Sequence, residues 1–404
     1  MIRNIVIVCD YVYVDGGAAK VAIQSAVALS KHTDYNVYFF GGSGEICDEL
    51  KRSIVKVIAL NMYDLVGNPS KIDAFIKGIY NRKAGLELEK LLDTINTEET
   101  VVHIHTWTKV LSSAVFKVCN KKNVRTFLTI HDYFLACPNG GCYNYCKKKI
   151  CNIKPMSFKC ICTDCDSRNY VFKVWRCLRQ IKQNSVIRSF KNLRYIHISE
   201  FQKERILERG LDIRHSVLLR NPLDVNNRYR VDCVNNEAYV FIGRVCKEKG
   251  TDLFCEAIRK AKVKGIVVGD GPLLEELKSE YPEIEFTGWL NGEQKEEVIR
   301  KTRVLVFTSV WYEGSPLTVP EVQAYGIPCI VTDCSAAVDD IQNGINGLIV
   351  STDAQDVAMA IDSLEDDDYL KKLSDNTFNN FNYSRAKEKI YISNLLNIYS
   401  LDNL

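Results

Sequence analysis

The sequence predicts an α/β protein of two doubly wound, parallel-sheet domains that face each other across a cleft. Three observations carry that expectation. The chain has 404 residues, too many for one ordinary hydrophobic core. Short apolar segments alternate with helical patterns along most of it, the signature of parallel strands joined by crossover helices. The alternation stops at a turn-rich stretch, Arg220-Asn-Pro-Leu-Asp, and then restarts with a glycine turn of its own.

In the first series strands are expected at 3–9, 36–41, 54–59, 100–104, 124–130, 194–198 and 216–219. In the second they are expected at 238–242, 264–268, 284–287, 303–307, 328–332 and 348–350. The opening run Ile5-Val-Ile-Val-Cys reads as a short, fully buried strand. Helical patterns lie between, as at Ala18–Ser30, Ala84–Leu92 and Asp252–Ala261. These elements imply Rossmann-like domains over 1–221 and 222–378, the first carrying a cysteine-rich, basic insertion at about 137–194. The final segment, 379–404, holds an amphipathic helical pattern, Tyr383–Tyr399.

The content, 46% hydrophobic and 25% charged, is that of a soluble globular protein. No stretch approaches the roughly 18–20 apolar residues of a membrane span. No secretory leader is read, so sixteen cysteines point to a reducing cytosol, with free thiols or metal rather than a disulfide framework. The net charge of +3 hides an asymmetry. From Lys147 to Arg194 there are 13 Lys and Arg against Asp164 and Asp166, which is +11 and leaves −8 for the rest. Such a block suggests an anionic partner: lipid head groups, a lipid-linked diphosphate or nucleic acid.

The most informative stretch is 311–334. An apolar segment, Val304-Leu-Val-Phe-Thr-Ser, leads into Glu313-Gly-Ser-Pro-Leu, a short helix containing Glu321, and another apolar segment, Pro328-Cys-Ile-Val-Thr. The Gly314–Leu317 turn therefore sits at a strand's carboxyl end and a helix's N-terminus, where free N–H groups favour a phosphate. Two flanking carboxylates can accept from sugar and ribose hydroxyls. A diphosphate with a sugar at each end, a nucleotide-sugar, matches that combination.

This stretch resembles the donor-site signature of family 4 glycosyltransferases, retaining enzymes with the GT-B fold. Phe241-Ile-Gly-Arg-Val-Cys-Lys-Glu-Lys-Gly250, Val267-Val-Gly-Asp-Gly-Pro272, Phe286-Thr-Gly-Trp-Leu290 and Asn343-Gly-Ile-Asn-Gly347 resemble further family motifs in the same order. Asp15-Gly-Gly-Ala-Ala resembles the family's glycine loop after the first strand. The resemblance implies donor contacts at Gly16, Gly17, Gly243, Gly269, Leu290, Gly314, Ser315, Pro316, Leu317 and Glu321, the last on the ribose. It also implies that the C-terminal helix crosses back to the first domain. Members similar in the Cys-Pro-Asn-Gly-Gly loop act in surface-polysaccharide assembly.

Arg244 and Lys249 would stabilise the charge on a departing diphosphate, Arg as a fork and Lys as a point charge. With those cations in place, and no Asp-x-Asp motif at a donor loop, transfer is expected to need no metal. The bland reading is a solvated loop with ordinary cations. The resemblance places Glu313 against the donor sugar and implies front-face attack rather than a two-carboxylate glycosidase mechanism. Gly16-Gly17 lacks a third glycine, which counts against a nicotinamide dehydrogenase.

His131, in Leu128-Thr-Ile-His-Asp-Tyr, ends an apolar strand and would face the cleft with Asp132. It is expected to bond a sugar hydroxyl or act as a partial base. His103 and His105 alternate on another strand end, and His105 is the one expected on the acceptor side.

Seven cysteines fall between Cys137 and Cys165. Cys146, Cys151, Cys160 and Cys165 could supply thiolates to a structural zinc; reduced thiols and redox or iron–sulfur chemistry are the alternatives. Tyr170, Phe172 and Trp175 interleave with Lys173, Arg176, Arg179 and Lys182, which suits an anionic membrane interface, or an exposed helix packing its apolar side inward; nucleic acid is the weakest of the three readings.

The function expected is sugar transfer from a nucleotide-diphosphate donor, a UDP-sugar, to a glycan or polyprenyl-diphosphate-linked acceptor. The place expected is the inner face of the cell membrane. The rivals are a nucleotide-sugar 2-epimerase of similar architecture and a non-catalytic membrane or nucleic-acid adaptor.

Overall fold

The computed structural model describes residues 2–225 and 229–401. In chain order its first strands are β1 (Asn4–Tyr11), β2 (Asn36–Ser43), β3 (Lys56–Ala59), β4 (Thr100–Ile104), β5 (Arg125–Ile130), β6 (Tyr143–Asn144), β7 (Lys149–Ile150), β8 (Leu193–His197) and β9 (Val217–Leu218). Then come β10 (Ala238–Ile242), β11 (Lys264–Val268), β12 (Glu285–Gly288), β13 (Thr302–Phe307), β14 (Cys329–Thr332) and β15 (Gly347–Val350).

Seven strands form one parallel sheet, ordered β3-β2-β1-β4-β5-β8-β9, and six form another, ordered β12-β11-β10-β13-β14-β15. β6 and β7 make a separate small hairpin. Strand β1 shows why its sequence is an unbroken apolar run. Ile5, Ile7 and Cys9 join a core cluster on one side of the sheet, and Val6 and Val8 join another on the opposite side. A strand covered on both faces has no use for alternation.

The helix Glu388–Ser400 returns to the first domain, where Tyr391, Leu395, Ile398 and Tyr399 join the core containing Ile5 and Ile7. The expected single helix over Tyr383–Tyr399 is instead two pieces. Tyr383–Ala386 is a 3-10 turn, and the α-helix starts at Glu388. The turn stays with the second domain, because Arg385 Nη1 donates to Asp340 Oδ1 at 2.9 Å and the Tyr383 hydroxyl donates to the Ala324 carbonyl. One straight helix cannot be held by both domains, so the chain bends at Lys387.

The two domains touch. Ser199 Oγ donates to the Gly314 carbonyl at 2.6 Å, Glu200 N donates to Asp339 Oδ2 at 2.7 Å, and Arg220 pairs with Asp340 at 2.8 Å.

The four cations Lys173, Arg176, Arg179 and Lys182, expected together at an anionic interface, do not share one exposed face. Their helix, Tyr170–Arg188, turns Lys173 and Arg179 inward, 0% and 5% exposed, and Arg176 pairs with the buried Asp166 at 2.6 Å. The expectation of Lys173 and Arg179 as cations of an exposed interface is therefore corrected. Charge density in sequence says nothing of which helix face is turned to the core.

Candidate active site

Both sheets reverse their strand order beside the first strand of each domain, between β1 and β4 and between β10 and β13. Ligands of doubly wound sheets bind outside the strand ends at such a reversal. The loops leaving β1, β10 and β13 carry Gly16-Gly17, Gly243 to Lys249 and Glu313 to Leu317.

In the second domain the loop after β10 carries Gly243, Arg244 and Lys249, and the loop after β13 carries Glu313 to Leu317. Lys249 Nζ donates to Glu313 Oε2 at 2.6 Å, and Ser309 Oγ donates to Glu313 Oε1 at 2.6 Å. The carboxylate, with its side chain 10% exposed, is thus held by both oxygens. Gly250 sets the approach of the two loops. Its φ is +66°, and a Cβ there would fall 1.9 Å from the Thr308 carbonyl oxygen, while Thr308 Oγ1 donates to the Gly250 carbonyl at 2.7 Å. Gly269 is similarly crowded: a Cβ would fall 1.8 Å from the Gly243 carbonyl oxygen.

Arg244 is exposed, and its guanidinium has no hydrogen-bond or ion-pair partner among the described residues. Glu321 lies on the helix Thr318–Gln323 and accepts from Lys295 Nζ at 3.0 Å. It lines a cavity of about 360 Å³ shared with Lys20, Asp224 and Tyr325, at the seam of the domains. Leu290 packs against the small core of Ala238, Val240, Ile266 and Val268, which leaves Trp289 beside it exposed. Ser315 and Leu317 are part-buried and Pro316 is buried, ahead of a helix whose N-cap, Leu317, offers no capping side chain.

In the first domain Gly16 is the N-cap of the helix Gly17–His32, again without a side-chain cap. A Cβ on Gly16 or Gly17 would meet nothing within 4 Å, so no packing demands glycine there. The space and the uncapped N–H groups are left for something that approaches the backbone.

His131 is brought to the cleft, and its carbonyl oxygen lies 3.3 Å from where a Gly314 Cβ would stand. Its Nε2 is 2.9 Å from His105 Nδ1. The row continues inward. The His103 and His105 rings are 4.2 Å apart, His103 Nδ1 is 2.7 Å from the Tyr399 hydroxyl, and His103 Nε2 is 2.7 Å from Thr129 Oγ1. Burial pushes His131 down to about 4 and His103 down to about 3, and holds His105 well below its usual value. All three rings are neutral at neutral pH. His105 is 1% exposed and partners His131, and its buried Nε2 has no hydrogen-bond partner. Asp132 accepts from Phe134 N at 2.9 Å, and burial raises it to about 6.

Asp10 was not singled out in the sequence. It is buried at the end of β1, and accepts from the backbone N–H groups of Lys109, Val110 and Leu111, each at 2.9 Å. That clamp shapes the loop after β4, and Lys109 Nζ then reaches Asp15, before Gly16, at 2.7 Å. The available signal was a carboxylate closing an apolar strand.

The zinc set needs correction. Cys151, Cys160 and Cys165 line one small cavity with Cys137 and Cys142, but Cys146 is exposed in the hairpin loop, and its thiol faces the Asp166 carbonyl at 3.7 Å. Among the described residues no three His, Cys, Asp or Glu side chains are arranged to hold a metal. A cation already occupies the neighbourhood: Lys173 Nζ donates to Cys160 Sγ at 3.4 Å. Burial opposes its charge, but the Cys165 and Cys160 thiols outweigh that and keep it an ammonium.

The second-domain geometry coincides with a family match. A model of the glycosyl transferases group 1 family matches residues 236–367. Residues 236–367 thus resemble a group 1 glycosyltransferase domain. Among curated proteins, the chain is 25% identical over 217 residues to an Escherichia coli UDP-Gal:alpha-D-GlcNAc-diphosphoundecaprenol alpha-1,3-galactosyltransferase, covering 48% of this chain and 55% of that protein. It is 28% identical over 177 residues to a lipopolysaccharide 1,6-galactosyltransferase of Salmonella typhimurium, covering 40% and 49%. The chain thus spans about half the length of these curated relatives. Over nearly the whole chain it resembles the Anabaena protein HepE solved with UDP, with a TM-score of 0.69 at 12% identity, covering 99% of this chain and 100% of that one. The architecture of the chain is the GT-B fold.

Proposed function

We propose that the protein is a retaining glycosyltransferase that takes a nucleotide-diphosphate sugar, a UDP-sugar, and glycosylates a glycan or polyprenyl-diphosphate-linked acceptor in surface-polysaccharide synthesis. One observation supports this above the rest: a group 1 glycosyltransferase domain holds Lys249 against Glu313 at its strand-order reversal. The donor lies mainly on that domain, and the acceptor enters from the first domain. The names of the Escherichia coli and Salmonella relatives, both galactosyltransferases, support the acceptor class.

In transfer the bond between the sugar's anomeric carbon and the diphosphate oxygen breaks, and the leaving nucleotide takes the electron pair. Arg244 and Lys249 are the cations placed to stabilise that charge. Lys249 has three donors, so it can keep Glu313 and still reach a phosphate oxygen. Glu313, held by Lys249 and Ser309, offers a fixed acceptor to the donor sugar, and neutral His131 can bond a sugar hydroxyl without placing a positive charge beside it. The acceptor hydroxyl attacks from the face the diphosphate leaves, and its proton passes to the leaving phosphate. The protein works at the inner face of the membrane, where such acceptors are presented.

The test is a panel of UDP- and GDP-sugars. A UDP-sugar at a hundred times its dissociation constant should stabilise the protein by about 2.7 kcal/mol, and free UDP should appear with acceptor present. An interconverted sugar nucleotide with no UDP released would favour the 2-epimerase and overturn the reading.

A further inference from the structure

Two neighbouring helices of the first domain each expose an apolar stripe. Helix Lys71–Ile79 buries Ala74 and Gly78, its small residues, and exposes Ile72 at 76%, Phe75 at 45% and Ile76 at 59%. Helix Tyr170–Arg188 buries Lys173, Arg179, Gln180 and Gln183 beside Trp175, Cys177, Val186 and Ile187, and exposes Val171, Val174, Leu178 and Ile181. The spacing of those four residues puts them on one face. A soluble helix does the opposite, with its apolar stripe inward.

The helices lie side by side. Trp175 Nε1 donates to the Phe75 carbonyl at 3.0 Å, the two rings are 6.1 Å apart, and a Cβ on Gly78 would fall 2.4 Å from the Trp175 ring. Their exposed stripes therefore flank a shared seam, and apolar surface of this kind marks a docking site.

We propose that this surface docks the protein on an anionic lipid bilayer. The inference rests on the acceptor being lipid-linked, and it names the face that meets the lipid. Charge chooses the occupant. Helix Tyr170–Arg188 contains no carboxylate, exposed Arg168 and Arg188 stand at its two ends, and Lys71 is exposed on the neighbouring helix. A second copy docked on the same face by a two-fold axis would bring these cations together, whereas anionic head groups neutralise them. Exposed Tyr170 suits the head-group level. No described helix is long and apolar enough to cross a membrane, so the contact is made by helices lying on the surface.

The inner face of the same helix explains its position. Arg179 Nη2 donates to the Pro138 carbonyl at 2.9 Å, Gln183 Nε2 to the Phe134 carbonyl at 2.9 Å, and Gln183 Oε1 accepts from Trp107 Nε1 at 3.0 Å. Those carbonyls and Trp107 belong to the loops after β4 and β5, next to His105 and His131. One helix thus carries lipid-facing residues outside and acceptor-side loops inside, so docking sets the cleft at the level of a head group.

The experiment is co-sedimentation of the full chain with vesicles of phosphatidylglycerol and phosphatidylcholine, and with phosphatidylcholine alone, at low and high salt. Wild type should bind the anionic vesicles and lose binding as salt rises. Leu178→Glu with Ile181→Glu, both solvent-exposed, should weaken that binding by about tenfold or more, with an unchanged melting temperature. UDP stabilisation should stay at the wild-type value, so a failed UDP shift indicts the donor reading and not this one. Wild type that ignores anionic vesicles at low salt overturns the proposal. So does a wild-type dimer that the double variant converts to monomer without any change in vesicle binding, because the face would then be an interface between copies.

Discussion

Lys249 Nζ stands 2.6 Å from Glu313 Oε2, across two loops that are 64 residues apart in sequence. Neither residue is spent on the other alone. Glu313 is also held by Ser309, and Lys249 retains donors for a phosphate. The pair is a preset combination of a fixed cation and a fixed acceptor at the place where donor loops meet.

Lys249→Ala should lower the transfer rate by roughly 10²–10³-fold, the scale for losing one preorganised charge beside a developing anion. Its side chain is 24% exposed and contributes little to the core, so the fold should persist. Circular dichroism and initial rates on the purified variant check both parts. Near-wild-type turnover of a folded variant would sink the donor-site assignment.

Gly250→Ala should damage structure as well as rate. The left-handed backbone and the Thr308 carbonyl 1.9 Å from the new methyl leave it no room. Strain of this kind costs on the order of 1–3 kcal/mol before the clash is added. A melting temperature equal to wild type would show that the two loops do not meet as described.

The histidine row gives a pH dependence with a definite sign. His131 at about 4 and His103 at about 3 are depressed below the ordinary 6.5. Between pH 6.5 and 4 the unfolded chain binds protons that the folded one refuses. Their contribution is full above 6.5 and is lost as pH falls toward 4. Asp132, raised to about 6, works the other way over part of that range. The difference between wild type and His103→Asn isolates the histidine part: the wild-type melting temperature should fall more steeply from pH 6.5 to 4. Parallel curves would remove the row's burial as its cause.

Lys173 and Cys160 should be coupled in stability. Cys160→Ala takes one of the thiols from a buried ammonium and leaves Cys165 beside it, which costs about 1–3 kcal/mol. Adding Lys173→Met removes the under-partnered charge and should recover much of that loss. Urea unfolding of the two single variants and the double variant closes the cycle. Strict additivity would mean that Cys160 is not the partner that matters.

The strands were legible because a doubly wound sheet is covered on both faces. Ile5 to Cys9 and Val304 to Phe307 had to be continuous apolar runs, and they lie in β1 and β13. The position of Glu313, Lys249 and His131 at strand ends was legible for the same reason, since glycine-bearing turns follow each run. Composition alone also showed that the insertion was basic and rich in cysteine.

The tertiary structure decided which way each face turned. Helical spacing says that Val171, Val174, Leu178 and Ile181 share a side, and it says the same of Lys173, Cys177 and Gln180. Nothing in that periodicity states which side meets the core. Here the side with Lys173, Cys177 and Gln180 does, and its polar residues satisfy carbonyls of the loop after β5 that would otherwise be left unbonded. The same limit hid Asp10, whose three N–H partners lie about a hundred residues away, and it misplaced Cys146, whose distance from the other thiols is set by a two-strand hairpin. Local sequence determined the elements and the loops that carry chemistry. Contacts between residues far apart in the chain determined which side chains face the core and which face solvent.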